Sequence, residues 1–322
     1  MRFAKLVLCG LLGIACVQQQ AFSQSWPSKP VNVLNGYAAG GSSDNIIRPI
    51  AQHLSQAFGN PFLVTNKPGA NANLAAMEVA TAGPDGYVFL FATTSQLTIN
   101  PALYAMPYNP QKDLLPITHI SMNPVALVMN GSFPANTMKD LIAYAKANPE
   151  KLTYASAGVG SINHLAGELL AMITNTKMLH IPMKGGAPVL TELLAGRVDI
   201  FFSSPPILMP YVKAGKLKIL MVSATKRMEQ LPDVPTMTEA GIPDFQAQAG
   251  TGLLAPANTP RSIIERMNNE VVKYLKSDTA VKLLGRQGVQ IVASTPEEFA
   301  AVIRSETERW AKVVKAGGMV MQ

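Results

Sequence analysis

The chain has 322 residues and only two cysteines, Cys9 and Cys16, both close to the amino terminus. Everything after residue 16 is free of thiols, which excludes a disulfide framework, a thiolate metal site and a cysteine nucleophile there. Charged residues make up 15% and aromatics 7% of the chain. The bases are dispersed, with "KLK" at 216–218 their densest run, so the basic stripe with aromatic partners that nucleic-acid binding needs is missing. No apolar run reaches the ~20 residues of a membrane-spanning helix. Catalytic signatures are missing as well. "GVGSIN" places Ser161 after a glycine but lacks the second glycine of G-x-S-x-G, and neither H-E-x-x-H nor an EF-hand loop occurs. His53, His119, His164 and His180 are too scattered for a metal triad. The residues therefore call for no metal, no cofactor and no enzymatic reaction.

What is present begins with an export signal. Arg2 and Lys5 precede the apolar stretch from Leu6 to Val17, and Ala21-Phe22-Ser23 supplies small residues at the two positions a signal peptidase reads. Residues 1–23 are expected to be a signal peptide, with the mature chain starting at Gln24. Gly13-Ile14-Ala15-Cys16 has glycine where a lipoprotein box carries leucine, which argues against a lipid anchor at Cys16. Removing Arg2 and Lys5 lowers the formal net charge from +7 to +5, a mild positive field that favours small anions. A cysteine-free exported chain of about 300 residues must be stable through its core alone, and that length suits two domains.

Strand and helix periodicities alternate almost throughout, the pattern of an α/β fold with largely parallel sheets. "VNVL" (31–34) leads to a helix from about Asp44 to Phe58, whose start or straightness Pro49 should disturb. "PFLVTN", "VFLFATT", "KLTYASAG", "KMLHIPM", "RVDIFFSS" and "KLKILMVSA" read as strands between helical segments. Thr137 and Asp140 have the spacing of a capping box. "PITHISM" and "PVALVMN" are two strands without an intervening helix, a break that marks a domain crossing. "FQAQAGTGLLAP" reads as the returning strand, followed by helices near 260–276, 279–286 and 296–316. The expected architecture is two lobes: residues 24–124 with 247–322, and residues 125–246.

Four loops share one chemical style, glycines and hydroxyls between a strand end and a helix start. They contribute Tyr37, Ala38, Ala39, Gly40, Gly41, Ser42 and Asp44; Thr93, Thr94 and Ser95; Gly158, Ser161, Asn163 and His164; and Ser203 and Ser204. Gly36 to Gly41 has P-loop spacing, but Ser42 replaces its lysine. Such a loop suits a singly charged carboxylate, held by backbone N–H groups, hydroxyls and a helix N-terminus, better than a triphosphate. Structural roles compete at each position. Gly40 and Gly41 serve a tight turn, Asp44 an N-cap, Thr93 and Thr94 a cap of the next turn, His164 a backbone hydrogen bond and Arg48 an ion pair on the helix face. Lys184 is either a cleft-rim cation or a solvated one.

"WPSKPVNVL", "GGSSDNIIR", "VTNKPGANANLAA", "PDGYVFLFATTS", "GSINHLAGELL", "MKGGAPVLTELLAGRVDIFF" and "LPDVPTMTEAGIPDF", in this order, resemble the Bug receptors. These are the extracytoplasmic substrate-binding proteins of tripartite tricarboxylate transporters, and the resemblance spans the mature chain. It implies a two-lobed type II periplasmic binding fold that closes on a carboxylate, a monomer in the periplasm, with Tyr37–Asp44 facing Gly158–His164. It also implies delivery to membrane permease subunits; a sensor-kinase adaptor and a hydrolase using Ser161 and His164 are the alternatives. One departure stands out. The family reads "VPFPPGG" or "VPFAPGG" where this chain has "NGYAAGG", which puts the Tyr37 phenol at the cleft and suggests a part in ligand choice.

Overall fold

The computed structural model describes residues 26–318 apart from 38, 184, 185, 225, 246 and 287. The expected signal peptide, both cysteines, Ala38 and Lys184 lie outside the described residues. The first sheet comprises β1 (Val31–Asn35), β2 (Phe62–Asn66), β3 (Val88–Thr93), β4 (Leu114–Pro124), β10 (Gln248–Pro256) and β11 (Gln290–Ile291), ordered β11-β4-β10-β3-β1-β2. The second comprises β5 (Ala126–Asn130), β6 (Thr153–Ser156), β7 (Leu179–Pro182), β8 (Ile200–Ser203) and β9 (Leu217–Val222), ordered β7-β6-β8-β5-β9. Leaving β11 aside, both sheets follow one scheme: second, first and third strand, then a visiting strand, then the fourth. The visitor, β10 in one sheet and β5 in the other, runs antiparallel to both its neighbours, while the remaining four strands run together. The largely parallel expectation thus holds for four strands of each sheet. The fifth arrives from the other sheet, so it enters from the opposite end.

The helices among the described residues are α1 (Ser42–Phe58), α2 (Asn73–Ala80), α3 (Thr94–Thr98), α4 (Asn100–Leu103), α5 (Pro110–Asp113), α6 (Met138–Ala147), α7 (Ile162–Thr174), α8 (Gly186–Leu194), α9 (Pro205–Lys213), α10 (Arg261–Leu275), α11 (Asp278–Gly285) and α12 (Pro296–Ala316). Side chains alternate across each strand. Val31 and Val33 of β1 join Ile46, Ile47, Ile50 and Leu54 of α1 in one core, whereas Leu34 faces Ala75, Ala76 and Val79 of α2 in another. The helix α12 belongs to both halves: Phe299 and Ile303 lie in a first-sheet core, and Trp310, Val313 and Val314 in a second-sheet core.

One correction concerns the start of α1. It begins at Ser42 rather than Asp44, with Gly41 as its N-cap, and Asp44 sits in the first turn, so Pro49 does not delay it. The helix ends at Phe58 as expected and contains Pro49, because the apolar stripe continues on both sides of the proline and burial outweighs one missing backbone bond. The capping box at Thr137 and Asp140 is present, and Thr295 and Glu298 form another at the start of α12.

The sheets meet where β4 gives way to β5 across one residue, Val125. Its N–H donates to Ser223 Oγ at 2.9 Å and its carbonyl accepts from the Ser223 N–H at 2.9 Å. Ser223 Oγ also donates to the Ala247 carbonyl, so one fully buried serine ties the outgoing chain to the returning one.

Candidate functional site

Because β1 and β3 are parallel neighbours, Asn35 and Thr93 both end their strands at the same edge of the first sheet, where α1 begins. The Tyr37 side chain crosses that edge, and its Oη lies 2.8 Å from Thr93 Oγ1. The Tyr37 backbone is pinned from two sides. Its N–H donates to Asn35 Oδ1 at 3.3 Å and its carbonyl accepts from Asn66 Nδ2 at 2.9 Å. Burial pushes the phenol upward more strongly than the Thr93 hydrogen bond lowers it, so the proton stays on.

Asp44 is 2% exposed and organises the loop from below. Its Oδ2 accepts from Gly40 N–H at 2.9 Å and Arg48 Nε at 2.7 Å, and its Oδ1 from Asn66 Nδ2 at 2.9 Å. Arg48 also donates to Asn66 Oδ1 at 2.9 Å. Burial alone would raise this carboxyl, but the bonds from Arg48, Gly40 and Asn66 outweigh it and hold the pKa at about 2, below the ordinary 3.8. The Asp44 contribution to stability is therefore complete above pH 3.8 and is lost as the pH falls through about 2. Asp44→Ala should cost about 1–3 kcal/mol at neutral pH, read as a lower urea midpoint, because three donors lose their acceptor. A variant as stable as the wild type would show that these bonds are replaced by water at no cost.

The facing loop follows β6. Gly158 and Gly160 take φ of 136° and 78°, left-handed conformations suited to glycine. Ser161 caps α7, its Oγ donating to Gly158 O at 2.7 Å and accepting from the His164 N–H at 3.4 Å. His164 Nδ1 accepts from Gly160 N–H at 3.1 Å, and its Nε2 lies 3.7 Å from Glu168 Oε1. Both imidazole nitrogens are thus turned away from the Ser161 hydroxyl, and the nucleophile–base contact a hydrolase needs is not formed. Asn163 Nδ2 donates to the Phe202 carbonyl, which joins this loop to Ser203 and Ser204 at the end of β8. A Cβ at Gly160 would stand 2.6 Å from Leu103 Cδ1, so this loop abuts α4 of the first-sheet half.

The expected residues are brought together unevenly. Tyr37 and Thr93 touch, Ala39, Gly40 and Gly41 are exposed at the mouth of α1, and Gly158, Ser161, Asn163 and His164 share one turn. Among the described residues no hydrogen bond joins the two groups. Thr94 faces away: its hydroxyl accepts from Gly250 N–H at 2.9 Å and lines a cavity with His119 and Glu306, while Ser95 is half-buried in the next turn. Ser203 is buried and Ser204 precedes α9 without a side-chain cap. Asn35, Asn66, Ser156 and His180 were not anticipated. Both "VNVLN" and "FLVTN" end an apolar strand in asparagine, and that shared ending is the signal available. His180 Nε2 lies 2.7 Å from Ser156 Oγ and its ring stacks on His164 at 3.9 Å, contacts that depend on β6 and β7 being neighbours. Among the described residues no group of three His, Cys, Asp or Glu side chains is placed to hold a metal ion, and no helix is long and apolar enough to cross a membrane.

Two α/β sheets of one strand scheme, exchanging a strand each and presenting glycine- and hydroxyl-rich loops at their strand ends, define a two-lobed periplasmic binding protein of type II. The profile of the tripartite tricarboxylate transporter family receptor, TctC, matches residues 46–319, and the chain belongs to that family of solute-binding receptors. It is similar to BugT of Bordetella pertussis, with 31% identity covering 92% of this chain and 91% of the relative. A Rhodopseudomonas palustris protein solved with adipate superposes with a TM-score of 0.77 at 32% identity, covering 92% of this chain and all of the other. MatC from Rhodopseudomonas palustris, with bound malate, gives a TM-score of 0.73 at 31% identity over 90% of this chain and 100% of its own.

Proposed function

We propose that this chain is a periplasmic receptor that captures a small dicarboxylate or related organic acid between its two halves and delivers it to the permease of a tripartite tricarboxylate transporter. The two halves are 24–124 with 247–322 and 125–246, and residues 1–23 direct export. The observation that carries the reading is the economy of charge at the site. Arg48, the cation nearest the 37–44 loop in sequence, is engaged by Asp44 and Asn66, which leaves N–H groups and hydroxyls to receive an anion. Gly41 brings no side chain to cap α1, so the free N–H groups of its first turn suit a carboxylate. The ligands of the related proteins, adipate and malate, are dicarboxylates. Closure of the halves about Val125 and Ser223 then brings the 158–164 loop over the bound acid.

The test is a titration of the mature chain with adipate, malate and a panel of other carboxylates, followed by thermal unfolding. A ligand at a hundred times its dissociation constant adds about 2.7 kcal/mol of stability. A panel in which no carboxylate raises the unfolding temperature overturns the proposal.

A further inference from the structure

We infer that the Tyr37–Thr93 hydroxyl pair is a specificity-determining donor of the site, presenting one O–H proton to a carboxylate oxygen of the ligand. The inference rests on the receptor reading above and assigns a role to two side chains within it. It follows from counting protons. The two hydroxyls stand 2.8 Å apart and bring two protons, of which one lies between them. Thr93 Oγ1 further accepts the Gln96 N–H at 3.3 Å as the cap of α3. That bond consumes a lone pair and no proton, so whichever hydroxyl donates to the other, one proton is left over. Among the described residues it has no acceptor. Both residues are half-buried at the edge of the sheet, so part of their surface stays open to an incoming ligand.

The nearest charged and amide donors are largely held by the loop itself. Arg48 gives its Nε to Asp44 and its Nη2 to Asn66, and Asn66 Nδ2 serves Asp44 and the Tyr37 carbonyl. Asn35 is fully buried, its Oδ1 facing the Tyr37 N–H and its Nδ2 without a partner. The hydroxyl pair is therefore a neutral side-chain donor that this half keeps for an incoming oxygen. The tyrosine is held in place by its own backbone bonds, so the proton is presented without a search, and an O–H donor to an ionised oxygen makes a short, strong hydrogen bond. Burial keeps the phenol protonated, so the pair donates throughout the neutral range.

The experiment measures affinity for malate and adipate by calorimetry in the wild type, Tyr37→Phe, Thr93→Ser and Thr93→Val. Tyr37→Phe keeps the ring and the Thr93 cap but leaves the Thr93 proton without the phenol that orients it, so affinity should fall about tenfold to a hundredfold, while the unfolding temperature without ligand falls only by the loss of one hydrogen bond. Thr93→Ser, which keeps the pair and the cap, should bind as the wild type does, and Thr93→Val should lose affinity. Equal affinity in Tyr37→Phe and wild type overturns the inference and leaves the receptor reading intact. A wild type that binds no carboxylate overturns both.

Discussion

Acidifying the protein from pH 7 to pH 4 should lower its unfolding free energy by several kcal/mol, chiefly through two histidines. His119 is 2% exposed, stacked on Phe299 at 5.0 Å, and its Nε2 has no hydrogen-bond partner; burial holds its pKa at about 4 against an ordinary 6.5. His164 is 5% exposed and is likewise held at about 4, first by burial and then by the charge of His180 stacked on it. The unfolded chain takes up a proton at each site near pH 6.5, whereas the folded chain resists until about 4. In that window the unfolded state binds more protons, so stability rises with pH and is lost on acidification. Each histidine accounts for about 3 kcal/mol by pH 4. His180 is also lowered by burial and acts in the same direction.

Urea midpoints at pH 7 and pH 4 for the wild type and His119→Met provide the check. Methionine is adaptable enough to fill the imidazole space beside Gly250, and it does not titrate. The variant should lose close to half of the pH dependence. An unchanged pH dependence would show that His119 is already charged or solvated in the folded protein.

Trp310→Ala should be the most damaging single truncation in α12, costing about 3–5 kcal/mol. Trp310 is 1% exposed, shares a core with Leu165 and Leu169 of α7, and donates its indole N–H to Glu306 Oε2 at 3.0 Å. The same helix buries Phe299 completely against the first-sheet half. The substitution opens a cavity in the second-sheet core and removes a donor from a half-buried carboxylate whose pKa burial already raises. Denaturant unfolding of Trp310→Ala and Trp310→Phe separates the two losses, since phenylalanine restores most of the volume and none of the N–H. A loss below about 1 kcal/mol in Trp310→Ala would mean that α12 is not anchored in this core.

Long elements were legible because their periods repeat. The stripe from Ile46 to Phe58, the strand "VFLFAT" and the helices after residue 260 lie where their patterns place them. The short helices α3, α4 and α5 and the two-residue β11 were missed, since four or five residues hold barely one helical period and two residues hold no alternation worth reading. Thr93 followed by Gln96 has the spacing of a capping signal, and it was read only as a possible turn cap. At the site, Gly40, Gly41, Ser161 and Asn163 were visible because their residue types announce turns and helix starts. Thr94 belongs to the same hydroxyl-rich loop as Thr93, but it opens α3 while Thr93 ends β3 and caps that helix. The Thr94 hydroxyl goes to Gly250, 156 residues away.

The order of residues alone placed the long strands and helices, and it fixed that no thiol follows residue 16 and that Ser42 stands where a P-loop carries lysine. Those are local matters, settled by period, cap and composition. Only the tertiary structure decided that Tyr37 meets Thr93 across 56 residues, that Asp44 is gripped by Asn66, that two histidines stack, and that α12 serves both cores. Each of these depends on which strands lie side by side. That choice minimises exposed apolar area over the whole chain, a sum that no short stretch of sequence contains.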